Sequence, residues 1–157
     1  MRFNWLFASS LCLSISLTAE PSQADPAQAR LGRLAYTAFL CASYAEISEN
    51  KIEQSRLFGV GLENARAFVT AYSGNKVTEQ EASAEVPVDL MNMLGGPSTD
   101  FVAGRLFESA KEYAEESVVK RDEGGSRLPP DKWNTDPTLK KEIASRKFAD
   151  ENCALIR

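Results

Sequence analysis

DPAQARLGRLAYTAFLCASYAEIS, residues 25–48, is the stretch on which the fold turns. Asp25 before Pro26 is a helix start. The aspartate can accept from an otherwise orphaned backbone N–H, and the fixed φ of proline suits the first helical position. Leu31, Leu34, Ala38, Cys41 and Ala45 then recur every third or fourth residue, which gathers them on one buried face. Tyr36, Leu40, Tyr44 and Ile47 make a second stripe beside it. A helix that is apolar on two adjoining faces belongs at the centre of a helical assembly. It is expected to end near Ser48.

The same periodicity continues outward, and strand-like alternation is nearly absent. A second helix is expected from about Lys51 to Ser73, with Phe58, Leu62, Ala65, Val69 and Tyr72 as its stripe and Gly74-Asn75 as its stop. Leu57 to Leu62 carries no polar side chain, which implies burial on several sides. Gly59 and Gly61 each cost that helix about 1 kcal/mol relative to alanine, so a close helix crossing is expected there. Thr78 and Glu81 form a capping box that opens a short helix to about Glu85. Pro87 interrupts the helical path at Val86, and another turn or two is expected within Val88 to Leu94 before Gly95-Gly96-Pro97. Ser98 or Thr99 caps a long helix expected to reach about Glu123, where Gly124-Gly125 closes it. Its buried stripe is Ala103, Phe107, Ala110, Ala114 and Val118; on its outer side Lys111 and Glu115 can pair. A second Asp-Pro, Asp136-Pro137, opens a last helix that ends near Cys153. Phe148 lies nearly opposite Leu139 and Ile143 on it, so this helix either packs between two neighbours or breaks before Asn152. The fold class is therefore all-α: about four main helices with short helical segments, and no internal repeat.

Ahead of this domain, residues 1–24 read as a cleavable signal peptide. Arg2 makes a positive start, and Trp5 to Leu17 is uncharged, at about 20 Å too short to cross a hydrocarbon core of about 30 Å. Ser22-Gln23-Ala24 favours cleavage after Ala24, with Ala19 the alternative. Leu11 before Cys12 does not suit a lipoprotein signal. The chain is thus expected to be periplasmic or secreted, with residues 25–157 as a single helical domain and no membrane span in it.

Cleavage removes Cys12 and leaves Cys41 and Cys153. In an oxidising compartment an even pair is expected to form a disulfide, tying the first helix to the last. Each cysteine follows its Asp-Pro start by a similar length of helix, which suits two helices side by side. No Cys-x-x-Cys is present to tune a redox thiol.

The composition narrows the chemistry. The 157 residues contain no histidine, and the formal net charge is −4. Without imidazole there is no neutral-pH general base for a serine triad, and the commonest zinc, copper and haem ligand is missing. The acidic balance does not suit nucleic acid. No cofactor and no metal is expected. Met91 and Met93 are soft ligands for Cu(I), but without His or free Cys they make a poor set, and core filling by Met91 and Leu94 competes. Glu108, Glu112, Glu115, Glu116, Asp122 and Glu123 leave carboxylate-dependent glycan hydrolysis as a formal option, set against solvation on an outer helix face.

The expected function is that of a non-catalytic binding protein acting through protein–protein contacts, such as an inhibitor, an immunity-type neutraliser or an accessory subunit. In size, compartment and disulfide use the chain resembles helical periplasmic immunity and inhibitor proteins, without a shared motif. Met91, Met93, Leu94, Asp100 and Trp133 are the candidate partner-binding residues. They combine adaptable methionines, a proline break and a Gly-Gly-Pro hinge with an aromatic that could form a platform beside Tyr113. Plugging the end of the bundle is the competing role for the apolar ones. The alternative function is carriage of a small apolar ligand, which requires a cavity near Gly59 and Gly61.

Overall fold

The computed structural model describes residues 26–157; the expected signal segment, Cys12 and the Asp25 cap lie outside them. The fold is all-α. In chain order the helices are α1 (Pro26–Ile47), α2 (Lys51–Ser73), α3 (Glu79–Glu85), α4 (Val88–Met91), α5 (Thr99–Val119) and α6 (Pro137–Asp150). Two single turns of 3-10 helix, Pro130–Lys132 and Cys153–Leu155, complete the order.

The local signals set most starts. Thr78 accepts from the Glu81 N–H while the Glu81 carboxylate accepts from the Thr78 N–H, the reciprocal capping box. Ser98 accepts from Phe101 N–H and Asp136 from Leu139 N–H in the same manner. Asn50 caps α2 by accepting from Glu53 N–H.

α1 is the central element, packed against α2, α3, α5 and α6. Every residue from Ala38 to Ala45 is buried, more than two full turns, so this part of α1 is covered all round and not on two adjoining faces alone. The deepest residues include Ala35 and Phe39, which fall outside both stripes, while Leu31 and Leu34 are only half-buried. On α2 the buried set is Leu57, Gly61, Ala65, Phe68, Val69 and Ala71. Phe58, expected in the stripe, is instead 38% exposed. The reason is the crossing at Gly61: a methyl group there would overlap the Phe39 ring, so α2 turns its glycine onto α1. Gly59 has nothing within 4 Å of where its Cβ would stand. The expected close crossing is therefore made by Gly61 alone, and Leu57–Leu62 is not buried on several sides.

One helix end differs from expectation, and another decides between the two options left open. α5 stops at Val119 rather than near Glu123, because the returning chain takes its last carbonyls. Asn134 donates its backbone N–H to Val119 O (2.8 Å) and its side-chain Nδ2 to Val118 O (3.0 Å). Arg121 and Arg127 then pair as an isolated antiparallel bridge across a tight turn. α6 ends at Asp150 and so breaks before Asn152, the second of the two options for that helix. Asn152 takes a left-handed φ of 54°, and Cys153 sits in the turn beyond it. Left-handed backbone suits asparagine better than most non-glycine residues.

Cys41 and Cys153 form a disulfide with their Cα atoms 5.5 Å apart, both fully buried, joining the first and last helical regions. Phe148 and Ile156 pack against this cluster with Leu57 and Ala42. Arg56 donates to the carbonyl oxygens of Cys153 and Ile156, and the Glu53 carboxylate holds its guanidinium at 2.6 Å. Among the described residues no helix is long and apolar enough to cross a membrane.

Candidate functional site

The stretch from Met91 into α5 is shaped by a single cation. Arg105 Nη1 donates to Met93 O (3.3 Å) and Gly95 O (3.1 Å), clamping the connection onto the helix it precedes. Its guanidinium also lies 5.8 Å from the Phe101 ring centroid. Gly96 fits beneath Phe101 and Val102, where a Cβ would stand 2.7 Å from the Phe101 ring. The Gly-Gly-Pro segment thus lies along the start of α5, and Phe101 lies against Gly96 and Arg105, 50% exposed.

The candidate residues separate here. Leu94 is buried in the core, and Met91 and Met93 pack against that core from its edge. Asp100 is exposed and bound to Arg66 of α2 at 2.6 Å, a charge-assisted hydrogen bond that holds its carboxyl below the usual carboxylate range. Met93 and Asp100 come together with Phe101 and Gly104 around an open depression of about 780 Å³ on the outer side of α5. Trp133 is elsewhere. Its indole N–H donates to Leu128 O (3.2 Å), and Lys120 Nζ lies 5.4 Å from its ring centroid, so it braces the chain's return past α5. Tyr113 does not join it: its electrostatic neighbours are Tyr36 and Tyr44 of α1.

The outer face of α5 continues the depression. At 100° per residue, Phe101, Gly104, Glu108, Glu112 and Glu115 fall within about 80° of one another. All five are exposed. Lys111, expected to pair with Glu115, reaches instead to Glu46 of α1 at 3.3 Å. The Glu115 carboxylate has no ion pair among the described residues, although it shares a hollow with Lys140 of α6.

A second hollow, of about 670 Å³, lies between the end of α5, the turn at 121–127 and α6. Arg121, Lys132, Arg146 and Lys147 line it together with Leu139 and Ile143. Arg146 is paired with Glu123 (3.2 Å) and Arg121 with Glu116 (3.5 Å), which cancels much of the positive charge. Among the described residues no group of three or more His, Cys, Asp or Glu stands where it could hold a metal ion. Of the acids on α5, Glu108 and Glu112 line the open depression, while Glu115 also lines a hollow of about 360 Å³ that it shares with Glu46 and Glu49.

Arg105, Phe101 and Gly104 escaped the sequence reading. Phe101 follows the helix cap and falls outside the buried stripe, which was a usable signal; the clamp made by Arg105 depends on a loop path that no local pattern encodes. Comparison with family models, with curated proteins and with solved structures found no match.

Proposed function

We propose that this chain is an exported, non-catalytic binding protein of the inhibitor, immunity or accessory kind, working through protein–protein contacts. The observation that carries this is the outer face of α5: a half-exposed Phe101, lying against Arg105 and Gly96, beside the bare backbone of Gly104. Large apolar side chains held rigid at a surface are what interface anchors are made of, because little conformational freedom remains to be lost on docking. The buried disulfide supports the exported setting, since such bonds persist in oxidising compartments. Small-ligand carriage has no comparable support: the Phe39 ring occupies the space at Gly61, and Gly59 faces solvent.

The test is affinity capture from an exported-protein extract at low salt, run in parallel with residues 25–157 and with the same domain carrying Gly104→Leu. Gly104 has nothing within 4 Å of a Cβ position, so the added side chain is tolerated by the fold and obstructs only the face. A protein retained by the native domain and lost by the variant is expected. Recovery of no protein, or of the same set by both, overturns the reading.

A further inference from the structure

We infer that the outer face of α5 receives a cationic, amphipathic helix of a partner protein, its apolar residues over Phe101 and Gly104 and its basic residues against Glu108, Glu112 and Glu115. This rests on the binding-protein reading and adds the chemistry of the partner. Three observations lead to it.

The first is charge. Glu108, Glu112 and Glu115 are exposed, share a face and stand one helical turn apart, a spacing at which like charges repel and weaken the helix. Three cations lie nearby: Arg105 is bound to the carbonyls of Met93 and Gly95, Lys111 to Glu46, and Lys140 of α6 shares a separate hollow with Glu115 without an ion pair to it. None of the three carboxylates has a hydrogen bond or ion pair among the described residues. The second is Gly104. Glycine in mid-helix is unfavourable, and Gly32 and Gly61 each have side chains that require it, Val86 with Phe68 and Phe39 respectively. Gly104 has no such neighbour, and neither has Gly59 of α2; what sets Gly104 apart is its place in the depression, beside Phe101 and the acids. It leaves a notch between Phe101 and Glu108 in which another side chain can meet backbone. The third is extent. From Phe101 to Glu115 the face runs about 21 Å, four turns of helix, with the apolar end at the start and the acidic end after it. A partner of matching length and opposite sign is therefore amphipathic and basic. An anionic lipid surface or a nucleic acid is repelled by the same three carboxylates.

The probe is a synthetic peptide of about 18 residues built from Leu and Lys in helical register, compared with its Leu and Glu counterpart, each titrated into isotope-labelled residues 25–157. The Leu/Lys peptide is expected to bind and to shift the amide signals of residues 93–115. Its affinity is expected to fall about tenfold with Glu108→Gln, Glu112→Gln and Glu115→Gln combined, and about tenfold with Gly104→Leu. A control that neutralises three exposed acids elsewhere, Glu63→Gln, Asp131→Asn and Glu142→Gln, is expected to leave it within about twofold. Equal binding of both peptides, an equal loss in the control, or shifts centred away from α5 overturns the inference. The capture experiment remains separate: a face-dependent partner that presents an acidic or neutral surface would remove the cationic assignment and leave the binding-protein reading standing.

Discussion

Tyr44 shows what one residue's surroundings impose. It is 2% exposed, and its hydroxyl meets the Ser117 hydroxyl across the α1–α5 crossing at 3.1 Å. Ser117 in turn donates to Ala114 O (2.8 Å), so both buried hydroxyls are satisfied. Burial pushes the Tyr44 phenol up to about 12, with Tyr113, Glu151 and Tyr36 adding to the rise. Below pH 10 the phenol is neutral in both folded and unfolded chains and contributes nothing to pH dependence. Between pH 10 and 12 the unfolded phenol ionises while the folded one keeps its proton, so stability drains away across that window. The loss from this one residue is on the order of 2 kcal/mol. Urea titrations from pH 9 to 12 should show Tyr44→Phe losing less stability than the native domain over this range, with a late phenol missing from its absorbance at 295 nm. Indistinguishable pH slopes would place the phenol in water. Tyr44 was legible in the sequence as part of a second apolar stripe. Ser117 was not, since a serine on a helix shows its burial only once the facing residue is known.

Among the elements, the helix starts were legible and the crossings were not. Thr78 with Glu81, Ser98 and Asp136 with Pro137 carry their caps within three residues, so local sequence decides them. The end of α5 depends on Asn134, fifteen residues after Val119, which no window along the helix contains. The two glycines of α2 make the same contrast and give opposite predictions. Gly59→Ala fills empty space and removes backbone freedom from the unfolded chain, so it is expected to stabilise the domain by up to about 1 kcal/mol. Gly61→Ala drives a methyl group into the Phe39 ring, and the strain of about 1–3 kcal/mol outweighs the same gain in helix propensity. Urea midpoints of the two variants should move in opposite directions from the native value. A rise in both would mean that α2 can roll away from α1 without penalty. In sequence the pair reads identically, glycine in an apolar run; only the facing Phe39 tells them apart.

At the scale of the molecule, the cysteine parity was legible and the geometry only in part. Discarding Cys12 leaves one possible pair, and Cys41 does lie deep in the central helix; Cys153 reaches it from a turn beyond α6, after the left-handed Asn152. That placement matters because α6 is the least anchored of the long helices. Ala144 is its one fully buried residue, and it has lysines at 140, 141 and 147 and an arginine at 146. What holds it is the packing of Ala144, Ile143 and Phe148 on the core, the disulfide at one end, Arg56 on the carbonyls of Cys153 and Ile156, and exposed pairs of Lys141 with Glu49 at 2.7 Å and Arg146 with Glu123 at 3.2 Å, of a kind worth little by themselves. The bond closes a separation of 112 residues, so in the chain-entropy model its loss costs up to about 4.7 kcal/mol. Replacing both cysteines by alanine is therefore expected to lower stability by several kcal/mol, and to do so unevenly. Hydrogen exchange should show residues 137–156 losing protection first, while α1, α2 and α5, whose core runs through Phe39, Phe68 and Leu106, keep theirs until global unfolding. Uniform loss along the chain would show instead that α6 belongs to the same cooperative unit as the other three, with the disulfide acting on the unfolded chain alone.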